Sequence, residues 1–352
     1  MADMLETPIA NSRRKPATIQ VVHDVRNHPN GDRLSLARVL GYQVVVGRDE
    51  FSSGDPVVFI EEGSVLPEGP EWSEFLRKQN FRVRVSKIRG QLSQGLVLPT
   101  TVLHPSLQGK LKDPTFLATK TGIPVSDQIG VKLYEPPVVK LTNGQCSGAF
   151  PNYVPRTDEL RLQSYPDALK ELQGLNYYIT TKYDGMSGTF VKIGGKLIIC
   201  SRNFQLNQQS DSPFRRVAEG LDLLNRIPEG HAVQGEVCGP SIQGNKLELD
   251  RIKFFAFQVR VIGEVNRYLN LGEFEEFCAM NRIPMVNIEE SGEDFDYTIE
   301  DLLEKSKGFY PNTQSPQEGI VVRPMKETWS PALQGRLSFK VINPDFTPHP
   351  QS

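Results

Sequence analysis

The sequence is short of cysteine, of net charge and of long apolar runs, and each shortage removes a class of protein. Its four cysteines, Cys146, Cys200, Cys238 and Cys278, are scattered without a C-x-x-C pair, so neither a zinc module nor a disulfide framework is indicated. A net charge of -2, from 40 basic and 42 acidic residues, does not suit a chain dominated by nonspecific phosphate binding, so any nucleic-acid affinity must come from local patches. No run approaches the ~20 apolar residues of a membrane-spanning helix. Residues 1–16 lack the apolar stretch of a signal peptide. The expectation is an intracellular, cytoplasmic, monomeric protein with no membrane partner. At 352 residues, 38% hydrophobic and 23% charged, it can bury the cores of two domains.

What is present is an ordered series of short segments. Lys182-Tyr183-Asp184-Gly185 is followed by Ser201-Arg202-Asn203, Gln234-Gly235-Glu236, Phe254-Phe255-Ala256-Phe257, Glu318-Gly319-Ile320-Val321-Val322-Arg323 and Ser338-Phe339-Lys340-Val341-Ile342. A lone K-x-D-G reads equally well as a solvated hairpin; six ordered segments do not. Together they contain what a lysine nucleophile needs to attack a nucleotide. A lysine amine, with a reference pKa of about 10.4, attacks phosphorus only if nearby positive charge or desolvation lowers that value. Lys340 and a divalent metal can supply the charge. Asp184, Glu236 and Glu318 can hold that metal directly or through its waters, since Mg2+ prefers oxygen and keeps several waters. Arg202 offers a planar fork for phosphate or ribose oxygens, although a surface ion pair explains it as well.

The pattern places these residues on strands. Residues 177–181 are aromatic and β-branched and lead into an Asp-Gly turn, so Lys182 projects from a strand end; residues 188–193 and 196–200 read as a hairpin around Gly194-Gly195. Residues 231–237 and 252–261 are short apolar runs with the length of buried strands. In the second, Phe255 and Phe257 share a face, Phe255 reading as core and Phe257 equally as core or as a purine-stacking ring. Helical spacing marks residues 160–172, 212–227 and 271–281, and the acidic stretch 289–304 reads as a solvated helix with its approach loop.

The set resembles the covalent nucleotidyltransferase superfamily of ATP-dependent RNA ligases, DNA ligases and capping enzymes, with motif I at Lys182, motif III at Glu236, motif IIIa at Phe257, motif IV at Glu318 and motif V at Lys340. The resemblance implies that Lys182 attacks the α-phosphate of ATP to form a lysyl-AMP. AMP then moves to a 5′-phosphate end, and a 3′-OH displaces it. It also implies that Arg202 binds phosphate, that Val321 sandwiches adenine opposite Phe257, and that Lys340 contacts the α-phosphate, with ATP and Mg2+ or Mn2+ required. Many members show K-x-K in motif V, whereas Ser338-Phe339-Lys340 keeps only the second lysine.

Layout selects the branch. After Lys340 only residues 341–352 follow, too few for the OB module that DNA ligases and capping enzymes carry there, while residues 15–134 form a domain-sized block in front. Within it residues 19–25, 44–48, 57–61, 81–88 and 95–99 read as five short strands, suiting an OB-fold. Arg82 and Arg84 would share the outer face of the fourth, either solvated or against a phosphate backbone. An N-terminal OB module joined to a nucleotidyltransferase domain resembles the fifth RNA ligase family, whose members seal 3′-OH and 5′-phosphate RNA ends. That likeness extends to Thr157-Asp158-Glu159-Leu160-Arg161, where it implies a nucleotide or metal-shell contact for Arg161; helix capping by Thr157 or Asp158 explains the same residues.

The expected fold is therefore α+β: a tail (1–14), an OB-fold β-barrel (15–134), a linker (135–150), and an ATP-grasp-like, DNA-ligase-type nucleotidyltransferase domain of antiparallel sheets with flanking helices (151–352). A DNA nick ligase, a capping guanylyltransferase using GTP, and a noncatalytic RNA-binding protein are the alternatives. The first two are disfavoured by layout and the third by the intact motifs.

Overall fold

The computed structural model describes residues 14–134 and 145–347, which fall into two compact units divided near residue 137. Residues 1–13, most of the expected tail, and 135–144, most of the expected linker, lie outside the described residues. The linker's last stretch is not a connection: Cys146–Ala149 is an edge strand of the second unit's larger sheet.

The first unit is built on two three-stranded antiparallel sheets. One has Pro56–Ile60 between Ala17–Val21 and Leu96–Pro99; the other runs Asp24–Asn27, Leu34–Val39, Tyr42–Gly47. In Pro56–Ile60, Val57 and Phe59 pack into one core cluster, with Tyr42 stacked on Phe59 at 5.1 Å, while Val58 and Ile60 pack into another. A strand with both faces covered reads as a continuous apolar run.

The structure departs from the sequence reading at two strands here. Leu34–Val39 turns Ser35, Ala37 and Val39 inward and leaves Leu34 and Leu36 half-exposed, so its bulky residues point away from the core. Residues 81–88 pair as a strand only over Ser86–Ile88. Asn80 (φ 52°) and Phe81 (φ 57°) are both left-handed, which prevents an extended ladder from starting there. Phe81 and Val83 are still buried and Arg84 exposed, but Arg82 is only half-exposed. Its guanidinium lies 3.5 Å from the Tyr134 ring centroid.

The second unit is built on two large sheets, with a two-stranded pairing of Trp329–Ser330 and Gly335–Arg336 beside them. The seven-stranded one runs Cys146–Ala149, Phe204–Leu206, Lys196–Cys200, Met186–Ile193, His231–Cys238, Lys253–Val261, Arg267–Tyr268. The five-stranded one runs Leu160–Arg161, Phe339–Ile342, Gly319–Pro324, Tyr177–Lys182, Ile288–Gly292. Pairing is antiparallel except between Leu160–Arg161 and Phe339–Ile342. The chain leaves the five-stranded sheet at Lys182 and enters the seven-stranded one at Met186, so the K-Y-D-G turn is the crossing point between them.

Helices are shorter than their sequence spacing predicts. Residues 160–172 begin as a strand, and helix appears only at Asp167–Leu172, after Pro166. No capping helix starts at Thr157 or Asp158. Residues 212–227 divide into Pro213–Gly220 and Leu223–Arg226 around left-handed Asp222, whereas Leu271–Met280 matches its expectation. The acidic stretch is half strand: in Ile288–Gly292, Glu290 accepts from the Tyr177 hydroxyl, the Tyr297 hydroxyl and Lys305, which hold its carboxyl below the usual range against the opposing effect of burial. All four cysteines are free, and no helix among the described residues is long and apolar enough to cross a membrane.

Candidate active site

Register brings the motif residues together. Lys182 sits opposite Gly319 across neighbouring strands, and Lys340 sits opposite Val321 on one side and beside Arg161 on the other. Gly319 has φ +149°, and a Cβ there would meet the Val341 carbonyl at 2.1 Å, so only glycine allows the close approach that sets Glu318 beside Lys182. The Lys182 Nζ donates to Glu318 Oε2 at 2.5 Å, with the two side chains 23% and 19% exposed. Gly185 has the same logic on the other sheet: a Cβ would meet the Val237 carbonyl at 2.5 Å, and its N–H donates to Glu236.

Three carboxylates and two ammonium groups thus share one half-buried space. Burial pushes Glu236 up to about 8; Lys182 opposes the rise, and repulsion from Glu318 and Asp184 adds to it. Asp184 is also raised, by burial and then by Glu318. Burial, Lys182 and Arg161 push Lys340 down to about 7. The lowered pKa expected of Lys182 required a divalent ion as well as Lys340, and Lys340 alone does not produce it. Burial is the largest influence and lowers it, but Glu318, Glu236 and Asp184 together leave it raised. The amine that touches a carboxylate keeps its proton, and the neighbouring amine loses its own more readily.

The donor set suits a hard cation. Asp184 Oδ2 is buried without a hydrogen bond, its nearest charge being Lys246 Nζ at 3.3 Å, a distance without bonding alignment. Among the described residues, however, no three acidic, His or Cys side chains are arranged to surround a metal by themselves. Contact through an ion's waters needs no such closed cage, and Asp184, Glu236 and Glu318 all lie within electrostatic reach of Lys182.

Phe257 is half-buried among Tyr183, Cys238, Leu247, Val286 and Tyr310, and Phe255 lies edge-on to Tyr183 at 4.8 Å. Val321 is buried, and Arg323, two residues on, donates to the Phe257 carbonyl at 2.8 Å, so the strands carrying Val321 and Phe257 meet here. Arg202 is largely exposed and ion-paired with Asp158, which is the surface-pair reading of that residue. Asp158 in turn feels Lys340, which puts Arg202 at the rim.

Three participants have no role assigned from the sequence. The Tyr310 hydroxyl accepts from the Asp184 N–H at 3.0 Å and the Glu318 N–H at 3.1 Å, and donates toward the Lys182 carbonyl at 3.4 Å. Arg323, 2% exposed, also donates to Ser338 Oγ and Glu159 Oε1, each at 2.8 Å. Lys246 donates to the Thr347 carbonyl at 2.5 Å and lies 3.6 Å from the Phe346 ring centroid. Only Arg323 falls within a segment the sequence singles out.

Comparison with known proteins agrees with this geometry. Residues 175–342 match the RNA ligase family model, and residues 16–100 match an OB-fold domain model. Naegleria gruberi RNA ligase solved with PPi superposes with a TM-score of 0.70 and 27% identity, covering 94% of this chain and 97% of that one. Variants of the same enzyme solved with AMP and Mn and with ATP and Mn give TM-scores of 0.72 and 0.71 at 26% identity over the same shares. Among curated proteins, the phenylalanine–tRNA ligase beta subunit of Geobacter sulfurreducens is 32% identical over 120 residues, 32% of this chain but 13% of that subunit's length. The Geobacter metallireducens subunit is 33% identical over 120 residues, again 13% of its length.

Proposed function

Given a chain whose residues 175–342 match the RNA ligase family model and whose residues 16–100 match an OB-fold domain model, we infer that this protein is an ATP-dependent RNA ligase joining 3′-OH and 5′-phosphate ends. The observation that carries the reading is the contact of Lys182 with Glu318 at the crossing between two sheets, with Asp184, Glu236 and Lys340 in electrostatic reach. In the first step the Lys182 amine attacks the α-phosphorus of ATP. The N–P bond forms as the P–O bond to pyrophosphate breaks, and Glu318, already in contact, accepts the amine's proton. Lys340 and Arg161 place positive charge where the phosphoryl oxygens gain negative charge. A Mg2+ or Mn2+ ion held through its waters by Asp184, Glu236 and Glu318 would supply the positive charge that loosens the Lys182 proton. Phe257 and Val321 line the base, and Arg202, exchanging Asp158 for phosphate, guides the end at the rim. AMP then passes to the RNA 5′-phosphate, and the 3′-OH displaces it to close the phosphodiester. The reading extends to repair of broken or nicked RNA.

Intact-mass spectrometry after incubation with ATP or GTP and Mn2+ tests this directly. An adduct of AMP, and none of GMP, is expected; a GMP adduct would select a capping enzyme, and no adduct a noncatalytic RNA-binding protein.

The branch is tested by the ends. A site that hydrogen-bonds a 2′-OH leaves a partner unsatisfied when offered deoxyribose, a penalty of roughly 1 to 3 kcal/mol and so about tenfold or more in rate. A nick with ribonucleotides at its 3′-OH end is therefore expected to be sealed at least about tenfold faster than an all-DNA nick, with DNA tolerated on the 5′-phosphate side. Equal sealing of both would make this a DNA ligase of unusual domain order.

A further inference from the structure

Resting on the ligase reading above, we propose that Tyr310 is a positioning residue of the site, its hydroxyl fixing Asp184 on one sheet's exit and Glu318 on the neighbouring strand so that the two acids can share one ion. The phenol oxygen has two acceptor positions and one proton. All three are used on site backbone: the N–H groups of Asp184 and Glu318 at 3.0 and 3.1 Å, and the Lys182 carbonyl at 3.4 Å. The three residues that Tyr310 ties together are the nucleophile and two of the three carboxylates. The ring is 1% exposed and stands edge-on to Tyr183 at 5.8 Å, so the hydroxyl cannot swing away.

Position matters here because Asp184 and Glu318 come from separate segments, 134 residues apart in sequence, and no ladder hydrogen bond joins their backbones. Asp184 lies beyond the end of its strand, and Glu318 precedes the start of its own. One side chain makes the link the sheets do not. Water-mediated contact with an ion depends on carboxylate spacing more than direct ligation does, since several waters must be held at once.

Tyr310→Phe keeps the ring and removes the three bonds. The half-saturating Mn2+ concentration for adenylylation is expected to rise about tenfold, with the ATP KM at saturating metal changed less than about twofold. Tyr297→Phe, which removes a half-buried hydroxyl bonded to Glu290 and not to the site, serves as control and is expected to keep wild-type metal dependence. Metal binding without turnover, read from Mn2+ electron paramagnetic resonance with a nonhydrolysable ATP analogue, is expected to weaken in parallel. Wild-type metal dependence in folded Tyr310→Phe would overturn the proposal, whereas a wild-type protein that forms no AMP adduct would instead overturn the ligase reading. Amide hydrogen exchange on the wild-type protein keeps the test open should the variant not fold. The Asp184 and Glu318 amides are expected to be protected, and exchange at unprotected rates would refute the positioning role.

Discussion

Lys182→Ala is expected to abolish the covalent AMP adduct, leaving no label from α-labelled ATP at any metal concentration. The competing nucleophile is Lys340, which burial, Lys182 and Arg161 push down to about 7 and which is therefore more readily neutral near physiological pH. Protonation alone favours Lys340, but geometry favours Lys182. Lys182 touches the Glu318 carboxylate at 2.5 Å, giving its proton a destination, and it leads directly into the Asp184 turn. Lys340 sits in mid-strand beside Arg161 and Val321, a cationic position suited to holding phosphate oxygens. Peptide mapping decides the matter: in wild type the adduct should lie on Lys182, and in Lys340→Ala it should form more slowly at the same residue. An adduct on Lys340 in the Lys182→Ala protein would overturn the assignment.

Arg323→Met is expected to cost the second unit about 3–5 kcal/mol, since removing one partner of a buried pair leaves the other charge uncompensated. Arg323 is 2% exposed and Glu159 15% at the side chain, and the guanidinium also serves Ser338 Oγ and the Phe257 carbonyl. For a unit of this size the loss corresponds to a melting temperature lower by roughly 6–20 °C. Removing both charges, as Arg323→Met with Glu159→Met, should cost less than removing Arg323 alone. Scanning calorimetry on both variants is the test, and a single variant within about 2 °C of wild type would show that the pair does not hold the strands together. The same network gives a physical reason for the departure in motif V. At position 338, 3% exposed and bonded to a guanidinium, a second lysine would set like charges together.

The site was legible in the sequence where one short segment carries both the reactive group and its backbone geometry. Lys182 ends its strand, Asp184 follows it and Glu318 immediately precedes its own, as the turn and strand patterns imply, while Glu236 and Lys340 lie within strands. What was illegible acts through contacts between distant segments. Tyr310 binds main-chain N–H groups, which carry no residue-type signature, and Lys246 and Glu159 meet their partners only after folding. Which amine touches a carboxylate depends likewise on side-chain placement, so the opposite directions of Lys182 and Lys340 carry no sequence signal. In the barrel, the strand whose faces are both buried reads as a continuous apolar run, whereas alternation misses Leu34–Val39, where small residues face inward. It also overran at residues 81–85, where burial alternates without a ladder.

The grip of Lys246 on Thr347 and Phe346 has a practical side. A change at Phe346 or Thr347 reaches Asp184 through the ammonium they share, so a break in the chain immediately after Thr347 is expected to disturb a site carboxylate. Histidine tags bind divalent ions through imidazole, so one at either end would compete for the very metal whose dependence an assay measures, and metal titrations on tagged protein should be repeated after the tag is cleaved.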